Sequence, residues 1–172
     1  MAIGIFSQPT MLAHLVAGSA RFQSKVGAAN ATEAFNNYIA RYRALGSSLK
    51  PPRAIISCES QAYTNNALGN FQAEAQLELS FEFKYDIPDE TQAAVNASYD
   101  AFEDDIETII KEMSELCRTG EPVTGYTYPN VTNFVMLAEP EMEPVAEGDM
   151  EDPEGDTTQQ LIWFVVFNVE II

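Results

Sequence analysis

A chain of 172 residues, 46% of them hydrophobic, is long enough for one domain with a real core. A net charge of −17, from nine Lys and Arg against 26 Asp and Glu, excludes a surface that grips nucleic acid through its phosphates. The apolar and aromatic content excludes a wholly disordered acidic chain, and the composition is not that of collagen, a coiled coil or a disulfide framework.

In chain order, the stretch Met11–Ala17 is apolar, but no Lys or Arg precedes Arg21 and His14 interrupts it. It reads as an amphipathic helix rather than a secretory signal or membrane span, so synthesis in a cytosol is expected. Thr10 is the expected cap, with Leu12, Leu15, Val16, Phe22 and Val26 at near-helical spacing and Gly18 and Gly27 weakening or bounding the helix. Phe35, Tyr38, Ile39 and Tyr42 predict a second helix over Thr32–Leu45, ended by Gly46 and by Pro51-Pro52. Ala54–Cys58 reads as a short strand.

The clearest segment is Phe71–Tyr85, where Phe71, Ala73, Ala75, Leu77, Leu79, Phe81, Phe83 and Tyr85 alternate with polar residues. Strict period two predicts a strand with one buried and one solvated face. At about 3.3 Å per residue it would run roughly 50 Å, long enough to bend or to project past a core as an arm. Pro88 follows, and Asp89 with Gln92 forms a capping-box-like start. From there Val95, Tyr99, Phe102, Ile106, Ile109, Ile110, Met113 and Leu116 predict a long helix stopped by Gly120, its solvated face carrying Asp100, Glu103, Asp104, Glu107, Lys111 and Glu115.

Val131–Ala138 reads as a strand. Glu139–Thr158 is an acidic loop insertion holding Glu139, Glu141, Glu143, Glu147, Asp149, Glu151, Asp152, Glu154 and Asp156, with Pro140, Pro144 and Pro153. The last strand, Gln160–Ile172, is apolar on both sides: Leu161, Trp163, Val165, Phe167, Val169 and Ile171 on one, Ile162, Phe164, Val166 and Ile172 on the other. Two apolar faces mean either a central strand or one covered by a neighbouring subunit. The expected fold is a single α+β domain over 1–172: a mainly antiparallel sheet, a long helix on one face, and an N-terminal helical region over 1–50.

Chemistry is sparse. Cys58 and Cys117 have no metal-ligand spacing and read as reduced, half-buried thiols. His14, the only histidine, lies in an apolar helix with no nucleophile motif to serve. Gly120 and Gly125 have P-loop separation, but Tyr126 stands where Lys is required. Asp104 and Asp105 are adjacent on a helix and so point about 100° apart. The acidic stretch offers hard oxygen ligands but breaks the calcium-loop pattern at Gly155. The sequons at Asn30, Asn96 and Asn130 carry no meaning without export. No catalytic residue, cofactor or metal is expected.

The order of elements resembles that of tailed-phage tail terminator and tail completion proteins. The resemblance is carried by the strand Phe71–Tyr85, the stripe Tyr99, Phe102, Ile106 and Ile110, and the closing run Leu161–Phe167. It implies a virion protein of the tail or neck that is not an enzyme. Such a protein is a homo-oligomeric ring, commonly a hexamer, that caps the tail tube and meets the head-side connector, with DNA only as passing cargo. From Thr119 to Ile172 there is no Lys or Arg and eleven Asp and Glu, which suits a conduit that does not hold phosphate. The alternatives are a connector adaptor, a tail tube subunit, or an unrelated acidic binding module that mimics DNA. For the ring, Trp163, Phe164 and Phe167 of the closing strand, with Phe81 and Phe83, form the expected interface.

Overall fold

The computed structural model describes residues 8–41, 50–65, 71–89, 91–120, 134–139, 145–151 and 157–171. Helices α1 (Gln8–Gly18), α2 (Ala20–Val26) and α3 (Ala31–Asn37) precede strands β1 (Ile39–Ala40), β2 (Arg53–Asn65) and β3 (Phe71–Ile87). Helix α4 (Gln92–Thr119) then leads to β4 (Phe134–Glu139), β5 (Val145–Glu151) and β6 (Thr157–Ile171). The result is a single-domain α+β fold on one mixed sheet of order β1-β2-β3-β6-β4, with β5 also paired to β6. Only the short β1 runs parallel, beside Ala54 and Ile55 of β2; the other pairings are antiparallel.

The N-terminal region is helical, but in shorter pieces than the apolar spacing predicts. Helix α1 begins at Gln8, upstream of the expected Thr10 cap, and is buried almost all round, from Met11 to Ala17. It packs against α3, α4 and β2. Ser19 breaks what the spacing joins into one helix: its side chain accepts from the Phe22 amide at 3.0 Å and so starts α2. Gly27, at φ 73°, closes α2 in the left-handed region that a side chain disfavours. Asn30, a sequon residue in sequence, caps α3 by accepting from the Glu33 amide at 3.0 Å. Helix α3 ends at Asn37 rather than Leu45, because Ile39 and Ala40 pair with β2 instead of continuing the turn. Residues 42–45 of the expected helix lie outside the described residues.

Strand β3 follows the period-two pattern, with Leu77, Leu79, Phe81, Phe83, Tyr85 and Ile87 buried. Strand β2 is far longer than Ala54–Cys58, because pairing with β3 carries the polar run Glu59–Asn65 into the ladder past a bulge between Cys58 and Ser60. Strand β6 pairs with β3 only from Leu77 to Ile87. Between Phe71 and Gln76, β3 therefore has β2 as its partner among the described strands, and the β2–β3 hairpin runs past the sheet as a two-stranded ribbon.

Strand β6 is central, between β3 on one side and β4 and β5 on the other. Of the two readings of its double apolar character, the central-strand one holds. Thr91, not Asp89, caps α4; its side chain accepts from the Ala94 amide at 3.2 Å, while Asp89 accepts from the Thr91 amide and hydroxyl. Gly120, at φ 64°, ends α4 as expected.

The acidic insertion is not a loop throughout. Val145–Glu151 forms β5, which pairs with β6 from Ile162 to Thr157 and shifts register between Glu147 and Met150. Strands β4 and β5 thus follow one another along a single edge of β6, with Glu139 opposite Val166 and Val145 opposite Ile162. Backbone pairing overrides the low strand propensity of this acidic run. Residues 131–133 of the expected strand, Ile172, and the acidic residues Glu141, Glu143, Asp152, Glu154 and Asp156 lie outside the described residues.

The core is an aromatic row between the sheet and its helices. Phe22 of α2 sits 6.1 Å from Phe81 and 6.2 Å from Phe83, and Phe102 of α4 meets Phe83 edge-on at 6.1 Å and stacks over Trp163 at 6.4 Å. Truncation of Phe83 to Ala is expected to cost about 3–5 kcal/mol in urea unfolding. Phe164→Ser, at a half-buried position on the opposite face, is expected to cost about 1 kcal/mol and leave the fold intact.

Candidate functional site

Of the five residues expected at an interface, four belong to the chain's own core: Phe81 and Phe83 are 0% exposed, and Trp163 and Phe167 are 5% exposed. Their burial in the core cluster between the sheet and its helices leaves none of these four rings for a neighbour to contact. Phe164 alone points the other way, in register with Glu82, which is itself opposite Arg53. Together with Pro51, Glu82 and Ile162 it lines an open depression of about 340 Å³. The Arg53 Nε donates to the Glu82 carboxylate at 2.6 Å, so the wall of this depression is a half-buried ion pair. Ile55, Phe164 and Val166 are half-buried on this helix-free face, and Ile162 is buried there.

The most organised polar cluster was not read from the sequence. Asp105 lies on the buried side of α4, 6% exposed, where an apolar residue would fit the stripe. The Tyr85 hydroxyl of β3 donates to its carboxylate, and Lys25 Nζ of α2 stands 2.7 Å from the same oxygen. Lys25 also lies over the Tyr85 ring, 3.6 Å from its centroid. Arg21 Nε sits 3.0 Å from the other Asp105 oxygen, close enough for charge attraction but without the alignment of a hydrogen bond, while its terminal nitrogen pairs with Asp104. Burial, and then the bond to Asp105, push the Tyr85 hydroxyl far above its ordinary titration range, so it stays protonated and keeps donating.

Two turns further along α4, Glu112 accepts from the Ser19 hydroxyl at 2.6 Å and from the Arg21 amide at 3.0 Å. The carboxylates of one helix thereby satisfy the first turn of another. Near the start of α4, Trp163 Nε1 donates to Ser98 Oγ at 2.9 Å, and Ser98 donates to the Val95 carbonyl at 2.7 Å. Every one of these groups is engaged in joining α2, α4 and the sheet. The cluster fastens α2, α4 and the sheet to one another.

The remaining candidates are structural too. His14 stacks on Phe35 at 4.2 Å, with the Arg41 guanidinium 5.0 Å from the same ring, and burial followed by the charge of Arg41 lowers its pKa below 6.5. Burial pushes the Cys117 thiol up, and neither Cys117 nor Cys58 forms a disulfide. The helix face holding Asp100, Glu103, Asp104, Glu107, Lys111 and Glu115 is exposed as expected, with a Lys111–Glu107 pair at 3.1 Å. Among the described residues no group of His, Cys, Asp and Glu could hold a metal ion, and no helix is long and apolar enough to cross a membrane. Glu139, Glu147, Asp149 and Glu151 lie on β4 and β5, the edge strands of the sheet. Compared with known proteins, the sequence matches no family model and no curated protein.

Two expectations follow. Asp105→Ala strands two cations beside a buried hydroxyl and should cost about 3 kcal/mol, whereas Asp104→Ala, at a 68% exposed side chain, should cost less than about 1 kcal/mol in the same unfolding experiment. His14 has a folded-state pKa below its unfolded value, so the unfolded chain binds the proton first as pH falls. Its contribution is complete above pH 6.5 and is lost as pH drops through the folded-state pKa. His14→Phe should remove that part of the stability–pH curve, as denaturation of both proteins between pH 7 and pH 5 would reveal.

Proposed function

We propose that the chain is a structural subunit of a closed ring of the tail terminator kind, capping a tail tube and meeting the head-side connector within a virion. The observation that carries this reading is the single-sided sheet. Helices cover one face, and the long β2–β3 hairpin extends past the sheet as a two-stranded ribbon, free to reach a neighbour. An isolated two-stranded ribbon is marginal in water, so contact with another subunit gives it a reason to persist. The acidic excess supports a passage through which DNA moves as cargo without being held. On this reading the protein has no catalytic task.

Negative-stain imaging and native mass spectrometry of the purified chain test this. A closed ring of fixed copy number, six on the family resemblance, is expected. Tubes of indefinite length would instead indicate a tail tube subunit. A small oligomer that competes with DNA for a basic partner would indicate an acidic binding module. If the acidic segments gather in the ring, their repulsion extends over about 8 Å at 0.15 M salt, and assembly strengthens as salt rises. Replacing the nine acidic residues of Glu139–Asp156 by Gln or Asn should flatten that dependence in sedimentation.

A further inference from the structure

We infer that neighbouring copies in the ring are joined by charge, the basic β1–β2 edge of one copy facing the acidic β4–β5 edge of the next. The inference rests on the ring reading and adds the joint. The two edges lie at opposite ends of the strand order, and they differ in sign. Residues 34–58, which include β1 and the start of β2, carry Arg41, Arg43, Lys50 and Arg53 and no Asp or Glu. The segment from Thr119 to Ile172, which includes β4 and β5, carries no Lys or Arg. With 26 acids to nine bases in the chain, a cation without a carboxylate partner is the exception to explain. Arg21, Lys25, Arg53, Lys111 and Arg118 each pair with a carboxylate. Arg41 and Lys50 are exposed and, among the described residues, have none.

The heights match as well as the signs. One row of partners crosses the whole sheet, Ala40–Ile55–Ser80–Val166–Glu139. Arg41 follows Ala40 directly, so it stands within about one residue step, roughly 3.3 Å, of the height of Glu139. Further down the same edge, Pro51 lines the depression beside Ile162, and Lys50 is the residue before it. Glu147 stands opposite Gln160, two residues from Ile162 on β6, so Lys50 and Glu147 also come to a common height. The two carboxylates lie opposite Val166 and Gln160, a span of roughly 20 Å along β6, and the two cations mark out the same span on the other edge. Rotation about an axis along the central strands keeps every height. It brings Arg41 level with Glu139 of the next copy and Lys50 level with Glu147 of that copy.

Arg41 is held in place without a carboxylate. Its guanidinium donates to Thr10 Oγ1 at 3.3 Å and lies 5.0 Å from the Phe35 ring, so less side-chain freedom is lost when a partner docks. Strand β1 is two residues long, too short to carry a ladder into the next copy, and the contact is one of side-chain charge. It is heterologous, each copy offering one edge of each sign, and such contacts generate rings when the rotation closes. Each acidic segment then faces a basic edge and not another acidic segment. Salt screens that attraction, so assembly weakens as salt rises, the reverse of what gathered acidic segments would give.

The test uses the full chain as wild type and as two double variants, Arg41→Glu with Lys50→Glu and Glu139→Lys with Glu147→Lys. Circular dichroism verifies folding, and native mass spectrometry with sedimentation counts copies across a salt series. Each double variant has two edges of one sign and should be a folded monomer. Mixed one to one, the two should rebuild rings holding both chains in equal number, because every contact in an alternating ring again joins opposite signs. The Glu139→Lys, Glu147→Lys chain carries less net negative charge than wild type, so a governing role for general repulsion would make it assemble more readily, and that result overturns the joint. Rings that persist in either variant, a mixture that stays monomeric, or wild-type assembly that strengthens with salt overturn the joint and leave the ring reading standing. A wild-type chain that is monomeric throughout overturns both. Should Arg41→Glu unfold the chain by leaving Phe35, the single exchange of Lys50→Glu against Glu147→Lys is read instead. Each single variant should raise the dissociation midpoint about tenfold and the mixture should restore it, whereas unchanged midpoints overturn the joint.

Discussion

The structure depends on one constraint: the apolar face that β3 and β6 share must be covered, and α4 is the cover. Residues of both strands alternate strictly, so Leu77 to Ile87 and Leu161 to Val169 present one continuous apolar surface. Phe102, Ile106, Ile109 and Met113 of α4 close over it, and α1 and α2 fill the remainder with Leu12, Leu15, Val16 and Phe22. Burying a large apolar side chain contributes about 1.5–3 kcal/mol, so this layer dominates the stability of the subunit. Among the described residues, the layer leaves open to a partner the helix-free face around Phe164, the two long edges, the ribbon beyond β6 and the charged outer face of α4.

The polar fastenings set the angle of that cover. Apolar surfaces slide, since burial is non-directional. Asp105 with Tyr85, Lys25 and Arg21 ties α4 to β3 and α2 at one point, Glu112 ties it to the start of α2 at a second, and Ser98 with Trp163 ties it to β6 at a third. A buried ion pair gains little net stability over an apolar replacement, but its geometry admits few alternatives. Registry of helix on sheet is therefore the role that these residues fill.

Where local pattern and burial agree, the sequence was legible. The alternation from Phe71 to Tyr85 and the stripe from Phe102 to Met113 each have one periodicity and one covered face, and Gly120 is a local stop. Elements made by pairing were not legible. Glu59–Asn65 is polar and becomes strand only because β3 lies alongside, and β5 forms within an acidic run because β6 supplies its partner. Ser19 divides α1 from α2 through a cap that depends partly on Glu112, far away in sequence. Asp105 could have been noticed as a charge inside the apolar stripe, three residues after Phe102 and four before Ile109. Without Lys25, Arg21 and Tyr85 placed beside it, it reads as one more solvated carboxylate. Phe81, Phe83, Trp163 and Phe167 fall in the core rather than at an interface for a related reason: an apolar strand face does not declare whether its cover comes from its own chain or from another.

Trp163 is the only tryptophan, so its fluorescence reports on that cover alone. The direct measurement is acrylamide quenching of the chain as a monomer and, for the ring proposed above, of the assembled state. The account predicts weak and equal quenching in both states, because α4 of the same chain shields the indole whether or not a neighbour is present. Strong quenching in the free subunit that falls on assembly would contradict it, since the aromatic row would then be covered by a partner rather than by its own helix.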